Sequence, residues 1–288
     1  MHLLNTNKSS VMLHVRSVDG VASEDGFNTD FSIYLKEHLT CLPGEHFLMS
    51  LSSAQIPYSF YNIQDGMNNL IIINGVDKLI PAGNYNVITL TAVVKEFGII
   101  LKYSVMTGKY TFTSPSLMDL ILTDLSPLAQ LGLPEGKYSL GTSELVSHHV
   151  INMMSFNSLY LRTTNLHSLN SLETRSGYSD ILSKIEIQSS PNEFIYFVAS
   201  QNTHKSLIKQ REISMIQFKL TGTDNRLINL NGCDFEFSIQ FDVIKENSDV
   251  AVDTGEGLNR IPVQNLKTKE NTNVQRPTKT ADNGKREQ

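Results

Sequence analysis

The sequence predicts a mainly β protein, a jelly roll or related β-sandwich that carries a small α+β insert and a disordered C-terminal tail. Apolar and polar residues alternate with period two before about residue 85 and again after about residue 148. Between these segments the apolar spacing becomes helical, and after Glu246 the pattern stops. The chain has 13 Phe and 10 Tyr but no Trp, a composition that suits strands and broad packed surfaces.

The first part of the chain reads as three strands joined by polar connections. Alternation predicts them at Val11–Val15, at Phe31–Leu35 and at His46–Ile56, with a Pro43-Gly44 turn before the third. The connection from Asp19 to Asp30 is polar and contains glycine. All three segments are β by period and by residue type.

The segment from Leu51 to Tyr85 is the most distinctive part of the sequence. Its strand runs into Pro57, which has no backbone N–H and belongs at a strand end or edge. Three aromatic residues, an asparagine pair, a short apolar strand and a turn follow: Tyr58, Phe60 and Tyr61, then Asn68-Asn69, Leu70–Ile73 and Pro81-Ala82-Gly83-Asn84. Such a block is typical of structural packing rather than of catalysis.

The insert is predicted between about residues 85 and 135 as helix, hairpin and helix. Thr89 is a candidate N-cap for a helix whose apolar face is Leu90, Val93, Val94 and Phe97, and Gly98 can end it. Met106-Thr107-Gly108 predicts a hairpin turn. Ser114-Pro115 predicts the start of a second helix from Ser116 to about Thr123, and Leu131–Pro134 ends the insert.

Strands resume after the insert. They are predicted at Val150–Met154, Ser158–Arg162, Ile181–Ile187, Phe194–Ala199, Ile213–Leu220 and Phe235–Val243. Phe194–Ala199 is a short apolar run and is expected to be buried. The last strand has five apolar residues at period two, which indicates one buried face.

These elements favour one elaborated jelly roll, with a body over residues 1–246 and a disordered tail over residues 247–288. Two sandwiches in tandem stay open as an alternative, although the first half looks too short to close one alone. The tail has no aromatic residue and cannot bury enough surface to offset its ordering entropy. Its cations Lys267, Lys269, Arg276 and Lys279 suggest contacts to neighbouring subunits or DNA, but spread charges favour a plain flexible tail.

Composition argues against several function classes. A net charge of −5 gives no general electrostatic reason to bind nucleic acid. The N-terminus lacks the apolar core of a signal peptide, and no apolar run is long enough for a membrane helix, so no membrane insertion is expected. Cys41 and Cys233 have no metal-type spacing and favour two thiols in a reducing compartment, while a disulfide stays open if the first and last strands are neighbours.

No catalytic constellation stands out, so we expect a protein that is not an enzyme and uses no cofactor. The sequence has no G-x-S-x-G elbow, no glycine-rich phosphate loop and no H-E-x-x-H motif. His148-His149 is the one adjacent histidine pair, and neighbours on a strand point to opposite faces, which disfavours a shared metal. A triad assembled by folding stays open.

The Leu51–Tyr85 block resembles the minor capsid (penton-type) jelly-roll proteins of eukaryotic double-stranded DNA viruses, virophages and related transposon-like elements. Asp30–Ile33, Leu131–Leu133 and Leu227–Gly232 add weaker similarities along the body. The resemblance implies a virion building block that assembles in the host cytoplasm or nucleus, as a pentamer or trimer in contact with the major capsid protein.

The family likeness assigns no contact residues, so the residue chemistry has to suggest them. Tyr58, Phe60 and Tyr61 offer large aromatic area and are predicted as interface anchors, with packing in the core as the plainer interpretation. A lectin-like or receptor-binding β-sandwich is the alternative function, and a β-rich enzyme with a cleft is a further one.

Overall fold

The computed structural model describes residues 10–23, 28–154, 156–166, 168–173, 177–200 and 203–245, without the side chains of residues 177 and 178. The predicted disordered tail, residues 247–288, lies outside the described residues, and so do Lys267, Lys269, Arg276 and Lys279. No helix within the described ranges is long and apolar enough to cross a membrane.

Four strands precede the insert. They are β1 (Ser10–Arg16), β2 (Val21–Ala22), β3 (Asp30–Thr40) and β4 (Glu45–Pro57). A 3-10 turn at Ser17–Asp19 separates β1 from β2. The three strands predicted in this part of the chain are therefore confirmed as β1, β3 and β4.

The insert contains seven strands and two helices among the described residues. They are β5 (Leu70–Ile73), β6 (Val76–Leu79), α1 (Val87–Glu96), β7 (Ile100–Ser104), β8 (Lys109–Thr113), β9 (Met118–Leu122), α2 (Leu128–Leu131), β10 (Gly136–Leu140) and β11 (Leu145–Val146). The predicted hairpin is confirmed as β7 and β8, with Gly108 in the left-handed region (φ 66°) that its turn requires.

Eight strands follow the insert in the described part of the chain. They are β12 (Ser158–Thr163), β13 (Leu172–Glu173), β14 (Gly177–Tyr178), β15 (Ile181–Glu186), β16 (Phe194–Val198), β17 (Ser206–Ile208), β18 (Glu212–Thr221) and β19 (Glu236–Lys245). The predicted Val150–Met154 strand is wrong, since those residues are irregular.

Two antiparallel sheets form a jelly roll. The first sheet has the order β1-β19-β4-β16, with β17 also paired to β4, and the second has the order β15-β12-β18-β3-β2. With β2 and β17 set aside, the eight main strands of the two sheets take the letters B to I in chain order: β1, β3, β4, β12, β15, β16, β18 and β19. The first sheet then reads B-I-D-G and the second C-H-E-F, which is the order of a jelly roll with two Greek keys. The mainly β fold class predicted from the sequence is confirmed.

Phenylalanine side chains from the two sheets meet in the core of the sandwich. Phe237 of β19 and Phe218 of β18 lie 4.9 Å apart between ring centroids, and Phe31 of β3 lies 5.7 Å from Phe218. All three are buried. Because each contributes about 1.5–3 kcal/mol by leaving water, these rings hold the sheets face to face.

The insert connects β4 to β12 and has its own core. One of its sheets has the order β10-β9-β5-β6, the other has the order β11-β8-β7, and α1 packs against β7. Buried side chains from both sheets and from α1 include Ile71, Leu90, Tyr110 and Leu120. Residues packed around this core run from Ile63 to Met153, on both sides of the predicted 85–135 segment.

The first helix of the insert is confirmed, but its predicted N-cap is wrong. Asn86 caps α1 by accepting hydrogen bonds from the N–H groups of Ile88 and Thr89, both at 2.9 Å. The Thr89 hydroxyl accepts in turn from the Asn86 N–H at 2.9 Å, which completes a capping box. Thr89 is thus the third residue of the helix.

The second predicted helix, Ser116 to about Thr123, is wrong because these residues form β9. Met118, Leu120 and Leu122 are buried, and the residues between them are half-buried, which is the period of a strand. β9 pairs with β10 on one side and with β5 on the other. Pairing with two strands outweighs the local Ser-Pro signal for a helix. After the hairpin, the insert has one short helix, the single turn α2.

Candidate assembly surface

Strand β16 lies at the edge of the first sheet and turns apolar side chains to solvent. Phe194, Tyr196 and Val198 are 46%, 65% and 79% exposed, while Ile195 is buried and Phe197 packs against the core. The expectation that this run is buried is therefore wrong for alternate residues. β4 is the one strand that pairs with β16 in the part of the chain that the structure describes.

The backbone of β16 also offers hydrogen-bonding groups on its free side. Tyr196 lies opposite Gln55 of β4, and one step beyond the strand the Ala199 N–H donates to the Ser52 carbonyl at 2.8 Å. Because bonded and non-bonded pairs alternate in an antiparallel ladder, Tyr196 and Val198 point their N–H and C=O groups away from β4. The Phe194 carbonyl, on the same side, accepts from the Ser189 hydroxyl at 2.6 Å.

A shallow groove of about 330 Å³ runs across the outer face of the first sheet beside β16. Two rows of side chains form its floor, ordered by the strand registers: Arg16, Glu236, Gln55 and Tyr196 in one, and His14, Ser238, Ser53 and Val198 in the other. The His14 Nδ1 and the Ser238 hydroxyl are hydrogen-bonded at 2.8 Å. The groove is thus polar toward β1 and apolar toward β16.

Strand β1 forms the opposite edge of this sheet, and β19 is its one partner strand among the described residues. Met12 is 43% exposed on its outer face. Arg16 ends the strand and donates two hydrogen bonds to the Asp19 carboxylate, at 2.9 and 2.8 Å. These bonds hold the pKa of Asp19 below its usual value.

The three predicted interface aromatics lie beyond β4, where the chain enters the insert. Tyr58 and Phe60 are buried in the core of the sandwich, with their rings stacked at 4.4 Å between centroids. Phe60 also lies 6.0 Å from Phe156. Tyr61 is half-buried and keeps some surface. The interface role of these residues stays a prediction, and Tyr61 is the one of the three that is not fully buried.

Asn62 connects the two ends of the insert. Its side-chain amide donates to the carbonyls of Tyr85 (2.7 Å) and Met153 (2.8 Å), and its side-chain oxygen accepts from the Tyr85 N–H at 2.8 Å. Its backbone carbonyl accepts from the side-chain amides of Asn68 and Gln130, at 2.9 and 3.1 Å. The distinctive sequence block therefore builds the junction between insert and sandwich.

The remaining residues that the sequence singled out do not line the groove. His148 and His149 are both exposed, and the His148 ring contacts Tyr138 at 5.8 Å. Cys41 and Cys233 are free thiols, so the possible disulfide is absent. Within the described ranges, no group of three His, Cys, Asp or Glu side chains is arranged to hold a metal ion.

Sequence reasoning missed the β16 edge. The signal is present in Phe194-Ile195-Tyr196-Phe197-Val198, five uncharged residues in a strand. Natural edge strands usually carry charges, prolines or bulges that prevent pairing with other chains, and this one has no charge and no proline. An apolar residue at every position hides which face is exposed, because the alternation disappears.

No family model and no curated protein matches the sequence. The fold is similar to a crystal structure of the mavirus penton protein, with 10% sequence identity and a TM-score of 0.45. The match covers 82% of this chain and 100% of that one.

Proposed function

We propose that the chain is a structural virion protein, a minor capsid or penton-type subunit that acts by self-assembly and by contact with other capsid proteins. The β16 edge carries the proposal, since it presents three exposed apolar side chains and, on the side away from β4, backbone groups that pair with no other strand of the described residues. An uncharged edge of this kind is a template for pairing with another chain.

The fold and the sequence support the same class of function. Jelly rolls of this strand order occur in viral capsid proteins and in lectins, so the fold alone does not choose between them. The residues that resemble penton-type proteins favour the capsid interpretation. The proposed partners are identical copies in a closed ring of five or three, and the major capsid protein.

The mass of the purified full-length chain, measured by light scattering behind a sizing column, tests the proposal. We expect a discrete pentamer or trimer, with a pentamer favouring a vertex position. A monomer that persists at high concentration would count against self-assembly.

One observation favours a lectin-like module as the second candidate. Tyr196 lines the groove together with Arg16, Gln55 and Glu236. Sugar rings pack on aromatic faces flanked by polar groups. Saturable binding of a glycan by the monomer, lost in Tyr196→Ala, would support this function. The capsid interpretation predicts no such binding and a change in mass instead.

A further inference from the structure

Among the described residues, the first sheet ends in two edge strands, β1 and β16, that are geometrically suited to each other. Four of its five strands follow one another in antiparallel order, β1-β19-β4-β16, so β1 and β16 run in opposite directions. The fifth strand, β17, pairs with β4 on the same side as β16 and leaves this order unchanged. When a second copy is placed in the same orientation, its β1 is antiparallel to the β16 of the first copy. An odd number of strands on the path from one edge to the other would have brought parallel edges together.

On both edge strands, the residues whose backbone groups point outward also have their side chains on the same face of the sheet. The Ser17 N–H donates to the Phe235 carbonyl at 2.9 Å. Because bonded and non-bonded residues alternate, this bond and the strand register show which residues of β1 bond to β19 and which do not. It follows that Met12, His14 and Arg16 direct their backbone groups away from β19, as Tyr196 and Val198 direct theirs away from β4. All five side chains project from the outer face, so the two edges can pair without moving a side chain to the opposite face.

We propose that β16 of one copy pairs with β1 of a second copy, joining their first sheets into one continuous antiparallel sheet. The inference rests on the proposed function, because it names the contact through which identical subunits assemble. The contact uses different surfaces on the two copies, and such heterologous contacts close into rings when the rotation between subunits is right.

Side-chain chemistry selects the register. Val198 opposite Met12 of the second copy brings two exposed apolar side chains together. The same register places Tyr196 opposite His14 and Phe194 opposite Arg16, where the guanidinium can lie over an aromatic ring. Pairing of β16 with β16 of a second copy is the competing arrangement, and it closes at a dimer with β1 left free.

Disulfide crosslinking tests the contact in the full-length chain, with Cys41→Ser and Cys233→Ser as background. Met12→Cys combined with Val198→Cys is expected to give, on mild oxidation, a ladder of crosslinked chains that ends at the ring size. Mixing the two single variants is expected to give crosslinked dimers only, because each copy then supplies one thiol. Crosslinked dimers of Tyr196→Cys alone would show two-fold pairing and overturn the inference.

Mass measurements separate failure of this contact from failure of the proposed function. An assembly of discrete mass whose Met12→Cys/Val198→Cys form does not crosslink would overturn the β16–β1 contact and leave the proposed function standing. A monomer that gives no crosslinks would overturn both.

A pair of lysine variants gives a matched control. Val198 and Ile88 are both 79% exposed, the first on β16 and the second on α1. Val198→Lys is expected to reduce the assembly to monomer, and Ile88→Lys to leave its mass unchanged. Full assembly of Val198→Lys, or loss of assembly in Ile88→Lys alone, would overturn the inference.

Discussion

At the scale of single residues, Asn62 shows how one amide side chain positions an entire insert. Its partners Tyr85 and Met153 belong to the turn before α1 and to the chain that returns toward β12. The sequence marks the neighbourhood of Asn62 as unusual but cannot supply these partners, because one of them lies 91 residues away. Buried amides of this kind are stabilising only when all their hydrogen bonds are made.

Asn62→Ala is expected to lower the free energy of unfolding by roughly 2–4 kcal/mol, since it leaves two carbonyls and one N–H without their partner in a buried site. Urea denaturation followed by circular dichroism measures the change. Asn157→Ala, at an exposed position before β12, is the control and is expected to shift the free energy by less than about 0.5 kcal/mol. Equal effects of the two variants would contradict the role of Asn62.

At the scale of elements, the strands with strict alternation could be predicted and those decided by distant partners could not. β19 buries Phe237, Ile239 and Phe241 with half-buried residues between them, and this period is visible in the sequence. β9 was predicted as a helix, because its Ser-Pro start is a local signal whereas its partners β5 and β10 are not. The edge position of β16 is likewise set by its pairing with β4 alone.

An ion pair between Asp242 of β19 and Lys205, just before β17, predicts that the stability of the fold depends on pH in the acid range. Asp242 of β19 accepts hydrogen bonds from Lys205 at 2.6 Å and from Gln240 at 2.7 Å. Partial burial alone would raise the pKa of Asp242, but these bonds and one from Ser10 outweigh it and lower the pKa below its usual value. The ionised group is thus bound more strongly in the folded state than in the unfolded one.

The pKa of Asp242 is lower in the folded state than in the unfolded state. The stabilisation by its ionised carboxylate is therefore present above the unfolded pKa of about 3.9 and is lost as the pH falls through the folded pKa. Asp242→Asn is therefore expected to be less stable than the wild type at pH 7, by up to about 1 kcal/mol, with the difference shrinking below about pH 4. Thermal unfolding between pH 7 and pH 2.5 measures this, with Asp77→Asn on β6 as the control. A difference that stays constant with pH would contradict the assignment.

At the scale of the whole molecule, the chain closes one sandwich from strands on both sides of a large insert. β1, β3 and β4 precede the insert, and their sheet partners β19, β18 and β16 follow it. Composition and period predict the mainly β class, but the strand order depends on pairings between distant parts of the chain that no local pattern encodes. In the part of the chain that the structure describes, the same order leaves β1 and β16 as the two edges of the first sheet, which is the basis of the proposed assembly.

Amide hydrogen exchange at β16 tests the assembly through this edge most directly. The full-length wild type is compared with Val198→Lys, residue by residue, and Ile195 and Phe197 serve as internal references because their N–H groups already bond to β4. We predict that the Tyr196 N–H exchanges at least about tenfold more slowly in the wild-type assembly than in the variant, with the two references unchanged. Equally fast exchange of Tyr196 in both proteins, with the wild type assembled, would contradict the account.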